Sequence, residues 1–288
     1  MTQPTYRPLP EGIYTPLPTF FDANEDLDLV AFKTHVRRVA AAGTIPVISG
    51  SAGEAPHLTP NERAQLIRAA RETLDDEQGE LRSVPIIAGV GSSSTRETIQ
   101  LAHEAQVSGA DYAMVLPPGY YASQLAGPEG RHALMKFFVD VAEASPLPVV
   151  LYNFPAVSGG LDLDSELIVD VVKASPNVVG VKLTCASVGK ITRINTIVSS
   201  PEFRRAYPRR SPDDKFRIID GFIDILLPSI ASGAAGTIEN MRTVMGTISF
   251  HAEYRRLPRS PTATGPVGAG GWCVSENRSK RPIQQNTP

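Results

Sequence analysis

The feature that most constrains the fold is an alternation of short, β-branched runs with longer helical stretches over about 240 residues. The predicted strands are 12–20, 44–49, 84–89, 112–116, 148–152, 178–182, 217–220 and 236–238. The predicted helices are 28–42, 60–74, 94–109, 130–144, 164–174, 187–199 and 222–232. Eight strands that alternate with helices predict an α/β fold of the (β/α)8 TIM-barrel type. A doubly wound parallel sheet is the alternative that periodicity leaves open.

Two predicted helices begin with recognisable capping residues. Thr59 precedes Pro60, and Ser94 stands three residues before Glu97, which is the spacing of a capping box. These caps support the predicted starts of the second and third helices.

The end of the chain breaks the alternation. Residues 255–288 contain five prolines, four glycines, six basic residues and one acidic residue. We therefore divide the chain into an N-terminal extension (1–10), a barrel (11–254) and a basic Pro/Gly-rich tail (255–288) that is expected to be disordered. The tail lacks interleaved aromatic residues, so a nucleic-acid partner is not expected.

Composition excludes several functional classes. The net charge is −2, which does not call for nucleic acid or an anionic membrane as a partner. No apolar stretch reaches the roughly 18 residues of a membrane span, and residues 1–10 lack a signal-peptide core. The two cysteines, Cys185 and Cys273, are far apart, which favours a reducing compartment. We expect a soluble cytoplasmic protein, with a mitochondrial location left open.

Lys182 is the strongest candidate for chemistry because it ends the sixth predicted strand. Strict alternation places Gly180 and Lys182 on one face, and Val179 and Val181 with Leu183 on the other. An apolar outer face would pack on helices and leave Lys182 inside the barrel, with space over Gly180. A confined lysine has a lowered pKa, which exposes the free amine needed to attack a ketone. The alternative is a lysine that reaches solvent or pairs with a carboxylate.

Two other strand ends carry polar groups. Tyr152 ends the fifth predicted strand and could supply a phenol for proton transfer, although packing is an alternative role. The second strand runs into a turn of small residues, GSAGE (50–54), whose backbone N–H groups could hold a carboxylate or phosphate. This turn lacks the Gly-Lys-Ser/Thr of a nucleotide-binding P-loop. The five histidines show no paired metal-ligand spacing, so no metal site is predicted.

Six segments together resemble the dihydrodipicolinate synthase/N-acetylneuraminate lyase family of class I aldolases. They span about residues 11–240 in the order of the family, and they are GIYTPLPTFF (12–21), GSAGE (50–54), PPGYY (117–121), LYNFP (151–155), GVKLT (180–184) and DGFIDILLPSIASGAAGTI (220–238). Ser51 and the run LYNFPAVSGGLDL (151–163) are most similar to 4-hydroxy-2-oxoglutarate aldolases and fungal deoxy-hexulosonate aldolases.

The resemblance implies roles for individual residues. Lys182 matches the lysine that forms a Schiff base with a 2-oxo acid, and Tyr152 matches the tyrosine that shuttles protons. Ser51 matches the hydroxyl of the proton relay. Tyr120, or Tyr121 if the register is shifted by one, matches a relay tyrosine that often reaches in from a neighbouring subunit.

The resemblance also implies how the substrate is held and what the enzyme requires. Backbone N–H groups of Ser51 and Ala52 would hold the pyruvate carboxylate, and the backbone of Ile238 would lie beside the substrate. The protonated imine is itself an electron sink, so neither metal nor cofactor is expected. The implied partners are a small 2-oxo acid and an aldehyde, with no nucleic acid and no membrane, in a homo-oligomer.

Two departures from the family pattern qualify the assignment. Val157 stands where dihydrodipicolinate synthases carry an arginine for the second substrate. The segment GTIENM (236–241) is shortened, so the eighth helix and the following helical segment are expected to be atypical or truncated. A short helix within 239–254 is expected from Met241, Val244, Met245 and Ile248.

The sequence therefore predicts a carbon–carbon lyase that forms a Schiff base with pyruvate or another small 2-oxo acid. Example substrates are 4-hydroxy-2-oxoglutarate and 2-keto-3-deoxy sugar acids. The rival enzymes are a dihydrodipicolinate synthase and a sugar-acid dehydratase. The rival from another class is a catalytically disabled barrel with a binding role.

Overall fold

The computed structural model describes residues 7–76, 81–212 and 214–239, and these form a closed barrel of parallel strands. Each strand pairs with its neighbours in sequence, and the last pairs with the first, so the (β/α)8 prediction is confirmed and a doubly wound sheet is excluded. The strands are β1 Gly12–Pro16, β2 Ile45–Ile48, β3 Ile87–Gly89, β4 Tyr112–Val115, β5 Val149–Asn153, β6 Val178–Leu183, β7 Arg217–Asp220 and β8 Gly236–Ile238. The helices are α1 Leu29–Ala41, α2 Pro60–Asp76, α3 Thr95–Val107, α4 Ala122–Leu125, α5 Pro128–Ala144, α6 Ser165–Ala174, α7 Val188–Val198, α8 Pro201–Ala206 and α9 Leu226–Ala231.

Each predicted helix corresponds to a helix in the structure, but the short helices α4 and α8 were not predicted. Both contain fewer than two full turns, which is too short for a hydrophobic period to be visible in sequence. The strand predicted for 12–20 ends at Pro16. One further ladder bond follows, from the Leu17 amide to the Val47 carbonyl, and Pro18 then lacks the N–H that would continue the pairing.

The predicted helix caps are present, although one differs in detail. At the start of α2, the Thr59 amide donates to the Glu62 carboxylate at 2.7 Å and the Glu62 amide donates to the Thr59 hydroxyl at 3.3 Å, forming a full capping box. At the start of α3, Ser94 accepts from the Glu97 amide at 3.1 Å. The Glu97 carboxylate, however, accepts from the hydroxyl of Ser92 instead of closing a box with Ser94.

The prediction for the two faces of β6 was wrong at Val179. The pairing of β5 with β6 jumps from Val149–Val178 to Val150–Gly180, so Val179 is an extra residue in a β-bulge. Val179 consequently packs inside the barrel, whereas Val181 and Leu183 pack outward against the helices as predicted. The space over Gly180 is also filled, because a Cβ there would lie 2.9 Å from the Arg217 carbonyl oxygen.

Two apolar layers hold the fold together. The larger layer lies between the strands and the surrounding helices, and the smaller fills the interior of the barrel. Leu9, from the predicted extension, is buried in the interior cluster, and the Tyr112 hydroxyl donates to the Arg7 carbonyl at 2.8 Å. Residues 7–10 therefore close the barrel at the N-terminal ends of its strands. In this architecture, residues at that end contribute to stability rather than to catalysis.

Several predictions fall beyond the described chain. The helix expected within 239–254 and the tail 255–288 lie outside the described residues, except Glu239, which follows β8. The domain boundaries remain predictions. None of the helices in the described ranges has the length and apolar character needed to cross a membrane.

Candidate active site

A cleft of about 580 Å³ opens at the C-terminal ends of the strands, which is the end where α/β barrels carry their active sites. Loops after β2, β3 and β4 form most of its wall, and Tyr152 and Val157 complete it. Ser51 and Tyr152 line this cleft, so the structure brings two of the predicted residues to one surface. The volume lies within the usual range for small-molecule sites.

Lys182 lies immediately behind Tyr152 and is almost completely buried. Its Nζ is 4.1 Å from the centre of the Tyr152 ring, and the side chain is 6% exposed. Adjacent strands explain the contact, because Tyr152 and Lys182 are paired in the β5–β6 ladder and both point into the barrel. Burial lowers the pKa of Lys182, while Tyr152 and Glu239 oppose that shift. Loss of the proton, which gives the uncharged amine, therefore costs less free energy here than for a lysine in water.

The phenol of Tyr152 connects the buried lysine to the cleft. Its oxygen lies 3.5 Å from the Oγ of Ser51, at the long limit of a hydrogen bond. The ring is 2% exposed and packs beside Phe154 with 5.8 Å between ring centres. Amine, phenol and hydroxyl thus follow one another from the barrel interior to the cleft. This order is suited to moving a proton between a buried nucleophile and a bound molecule.

The loop after β2 is held in an unusual conformation. Ser49 and Glu54, at its two ends, have positive φ angles of 52° and 56°. Such values are uncommon for non-glycine residues and tend to occur at functional sites. A Cβ at Gly89 would lie only 2.0 Å from the Ser49 carbonyl oxygen, so the β3 backbone supports this loop by direct contact. Within the described residues, the amides of Ser51 and Ala52 have no hydrogen-bond acceptor.

The remaining predicted residues have different surroundings. Tyr120 is 80% exposed and stacks edge-on against Tyr121, with 4.9 Å between ring centres, outside the cleft wall. Ile238 is buried in the interior cluster at the end of β8. Ala52 is half-buried in the loop after β2. The single chain therefore assembles Lys182 and Tyr152 with Ser51, and leaves Tyr120 on its surface.

The outer wall of the cleft contains charged groups. The Arg63 Nη2 donates to the Ala55 carbonyl at 2.5 Å, while its Nε and Nη1 are buried and have no hydrogen-bond partner among the described residues. Burial lowers the pKa of Arg63, and the nearby Glu97 opposes this shift. Glu54 pairs with the Nδ1 of His57 at 3.2 Å. Val157, which is half-exposed, adds an apolar surface where an arginine would offer a bidentate carboxylate site.

Sequence analysis missed a second buried lysine. Lys190 in α7 is 3% exposed, and its Nζ donates to Asp162 at 2.5 Å and to the Leu163 carbonyl at 2.7 Å. Asp162 also accepts from the amide of Asn153, the residue after Tyr152. One signal was available in the sequence: a lysine in the first turn of a predicted helix, where the helix dipole disfavours positive charge.

No group of three His, Cys, Asp or Glu residues is placed to hold a metal ion in the ranges that the structure describes. Beside the charged groups of its outer wall, the cleft is lined by several serine hydroxyls and the phenol of Tyr152. These groups suit hydrogen bonding to an organic acid.

The sequence profile of the dihydrodipicolinate synthetase family matches residues 9–252, which include every strand of the barrel. The chain belongs to the dihydrodipicolinate synthetase family. An Emericella nidulans protein named "Probable 4-hydroxy-2-oxoglutarate aldolase, mitochondrial" is 40% identical over 240 residues, covering 83% of this chain and 71% of that protein. A Coccidioides immitis relative with the same activity in its name is 42% identical over 79% of this chain, and the match spans only 66% of that protein. The "L-threo-3-deoxy-hexylosonate aldolase" of Aspergillus niger is 37% identical, over 81% of this chain and 71% of that protein.

Solved structures in the dihydrodipicolinate synthetase family have the same fold. A crystal structure of a dihydrodipicolinate synthase family protein from Coccidioides immitis is 39% identical and has a TM-score of 0.71, covering 87% of this chain and 72% of that one. The prophage protein YagE of Escherichia coli K12, solved in complex with pyruvate, is 28% identical with a TM-score of 0.67, covering 85% of this chain and 79% of that one.

Proposed function

We propose that this chain is a Schiff-base aldolase that cleaves or forms a small 2-oxo acid, with pyruvate as the partner bound to the enzyme as an imine. The observation that carries the proposal is the placement of the buried Lys182 amine against the phenol of Tyr152, which in turn approaches Ser51 at the cleft. The names of the fungal relatives, which are aldolases of 4-hydroxy-2-oxoglutarate and of a 3-deoxy-hexulosonate, support the same class of reaction.

The proposed reaction begins at Lys182. The neutral amine attacks the C2 ketone of the substrate, and the carbinolamine oxygen leaves as water with a proton from Tyr152, which gives a protonated imine and a Tyr152 phenolate. The C4 hydroxyl then transfers its proton to this phenolate, beside Ser51, while the C3–C4 electrons move into the imine. An aldehyde departs and an enamine remains. Protonation at C3 and hydrolysis release pyruvate and restore Lys182.

The remaining residues are proposed to bind and orient the substrate. The amides of Ser51 and Ala52, which have no acceptor within the described part of the chain, are suited to donate to a carboxylate, because adjacent backbone N–H groups in a tight turn form an anion-binding site. Ile238 would contribute its backbone beside the substrate. The imine supplies the electron sink, so the mechanism calls for neither metal nor cofactor.

Tyr120 is proposed to complete the proton relay of a neighbouring subunit. Its ring is largely exposed in the isolated chain, which is consistent with a role across an interface. A homo-oligomer of two or four chains would then be the active form. The compartment also stays a proposal: composition favours the cytoplasm, whereas the names of two relatives specify mitochondria.

Dihydrodipicolinate synthase activity is the main rival, and Val157 argues against it. That reaction uses an aldehyde with a carboxylate at its far end, for which an arginine fork is well suited. Val157, which lines the cleft, has no charge and no hydrogen-bond donor. Losing a charge-assisted contact costs about 1.5–3 kcal/mol, or roughly ten- to a hundredfold in rate. A sugar-acid dehydratase would use the same lysine, and it is distinguished from an aldolase by its products, because only an aldolase releases pyruvate and an aldehyde.

The decisive experiment is to incubate the protein with pyruvate and sodium borohydride and then measure intact mass and map peptides. One pyruvyl adduct on Lys182 is expected, together with release of pyruvate from 4-hydroxy-2-oxoglutarate or a 3-deoxy-hexulosonate. Lys182→Ala should abolish both, whereas Lys136→Ala, a change in an exposed lysine of α5, should alter neither. An adduct on another lysine would overturn the assignment, and binding without turnover would favour the disabled barrel.

A further inference from the structure

Lys190 is a buried charge with no place in the proposed reaction. It lies in the first turn of α7, which contains no acidic residue to offset its charge. The positive end of the helix dipole opposes a cation at this position, and burial adds a desolvation cost. A carboxylate oxygen of Asp162 and the Leu163 carbonyl oxygen, at 2.5 and 2.7 Å from Nζ, compensate for both.

The contacts of Lys190 continue to the strand that carries Tyr152. The same Oδ1 of Asp162 accepts from the Asn153 side-chain amide at 2.7 Å, and the Asn153 Oδ1 accepts from the Leu163 amide at 2.9 Å. Asn153 is completely buried, and its carbonyl accepts from the Thr184 amide at 2.8 Å, just after the strand of Lys182. The Asn153 side chain is therefore fixed on both sides, next to Tyr152.

The segment between Asn153 and Asp162, residues 154–161, forms part of the cleft. Phe154 packs beside the Tyr152 ring and Val157 lines the wall. Ser158 packs directly on Gly119, where a Cβ would lie 2.8 Å from the Ser158 carbonyl carbon. Both ends of this segment meet at the carboxylate of Asp162, which Lys190 holds. A shift of Asp162 would therefore move the end of β5, which carries Tyr152.

We infer that Lys190 is a positioning residue, which acts through Asp162 and Asn153 to hold the phenol of Tyr152 against Lys182 and Ser51. The inference rests on the proposed aldol reaction, since it assigns the network an effect on the proton that Tyr152 transfers. A displacement of about 1 Å at a catalytic group can cost on the order of 100-fold in rate. The carboxylate site at Ser51 and Ala52 lies on a different loop and should be unaffected.

A double-mutant cycle distinguishes this role from simple stabilisation. The variants are Lys190→Met, Tyr152→Phe and their combination, assayed as full-length protein for kcat and KM in the cleavage of a 3-deoxy-hexulosonate, alongside thermal unfolding. We expect Lys190→Met to lower kcat about 10- to 100-fold with KM changed less than about threefold. In the Tyr152→Phe background the same change should have little further effect, because the phenol that it displaces is absent.

Asp162→Ala provides a second route to the same test if Lys190→Met does not fold. Its side chain is about half exposed, so truncation leaves no buried cavity, yet it removes the link to Asn153. Lys136→Met is the matched control, because that lysine pairs with Asp140 on the surface of one helix and should leave kcat unchanged.

The outcomes separate the inference from the function on which it rests. Unaltered kcat in folded Lys190→Met and Asp162→Ala, or losses that add fully to that of Tyr152→Phe, would overturn the positioning role alone. Absence of turnover and of a pyruvyl adduct in the unaltered chain would overturn the proposed function and this inference with it.

Discussion

Replacing Lys182 with methionine should abolish activity and make the protein more stable. Methionine has a similar length and a flexible apolar side chain, so it can occupy the same space in the interior of the barrel. In the folded protein, burial lowers the pKa of Lys182, and no carboxylate lies within bonding distance among the contacts that the structure describes. The buried lysine therefore lowers the free energy of unfolding, and its role in the reaction explains why it is present.

The size of this cost can be bounded. A lysine has an ordinary pKa of about 10.4, and each unit corresponds to about 1.36 kcal/mol, so a lowered pKa can cost the folded protein at most about 4.6 kcal/mol at pH 7, the free energy of removing the proton from a lysine in water. Tyr152 and Glu239 favour the charged form and reduce the cost. We expect Lys182→Met to gain about 1–3 kcal/mol at pH 7, which corresponds to a rise of several degrees in Tm at about 2–4 °C per kcal/mol.

The gain should depend on pH in a defined direction. Because the folded pKa of Lys182 is lowered, the unfolded chain binds more protons than the folded chain at pH values between the folded pKa and about 10.4, and the stability of the unaltered protein rises with pH across that window. The advantage of Lys182→Met should therefore shrink as pH increases from 7 toward 10. Chemical denaturation of both proteins at several pH values measures this difference directly.

The matched comparison is Lys190→Met, a change of the same kind at the other buried lysine. That lysine satisfies Asp162 and a buried carbonyl, so its removal should destabilise the protein by about 1–3 kcal/mol, toward the lower value because Asp162 reaches solvent. If Lys182→Met were destabilising, or if its gain did not vary with pH, the argument that Lys182 is buried at a cost would be refuted.

Three further changes test the site. Tyr152→Phe should lower kcat by about 10²- to 10⁴-fold while Lys182 still forms some borohydride-trapped adduct, as mass spectrometry would show; full activity would remove the phenol from the mechanism. Val157→Arg should place a guanidinium in the cleft and raise kcat/KM about ten- to a hundredfold for an aldehyde bearing a distal carboxylate, measured by condensation with pyruvate; unchanged kcat/KM would show that this wall does not contact the aldehyde. Gly89→Ala should force the Ser49 loop to move by about 1 Å, because the new Cβ would lie 2.0 Å from the Ser49 carbonyl oxygen, and it should raise KM for pyruvate and lower the free energy of unfolding by about 1–3 kcal/mol. The control is Gly189→Ala in α7, where the nearest atom is 3.4 Å away. An unchanged KM in Gly89→Ala would show that this loop does not bind pyruvate.

The sequence was sufficient to predict the barrel and the placement of Lys182 beside Tyr152. Both follow from local information: the alternation of strands with helices defines the architecture, and the architecture brings strand C-termini to one mouth. The residues that end neighbouring strands must then be neighbours in space. The approach of Ser51 to Tyr152, 101 residues away in the chain, was implied by the family resemblance and does not follow from this rule, because β2 and β5 are not neighbouring strands.

Features that depend on pairing between distant segments could not be predicted. The run Val178-Val179-Gly180-Val181 is continuous and apolar, so nothing local marks Val179 as the bulged residue; the register of β5 decides it. Similarly, Asp162 precedes Lys190 by 28 residues, and their ion pair exists only because the segment after β5 folds back against the start of α7. Local sequence carries the tendency to form each element, whereas these contacts are fixed by tertiary packing.

The two buried lysines, eight residues apart in sequence, show why pyruvate should react at one of them. Lys190 has a carboxylate and a carbonyl as acceptors, which hold its Nζ at 2.5 and 2.7 Å. Lys182 faces an aromatic ring and a phenol in a poorly solvated interior, which lowers its pKa and makes the free amine available. Reactivity toward a ketone therefore depends on the absence of a fixed anionic partner more than on burial itself. A carboxylate introduced next to Lys182, for example by Ile219→Asp on the adjacent strand, should suppress the pyruvyl adduct while leaving the lysine in place. A folded Ile219→Asp protein that forms the adduct at the usual rate would contradict this reasoning.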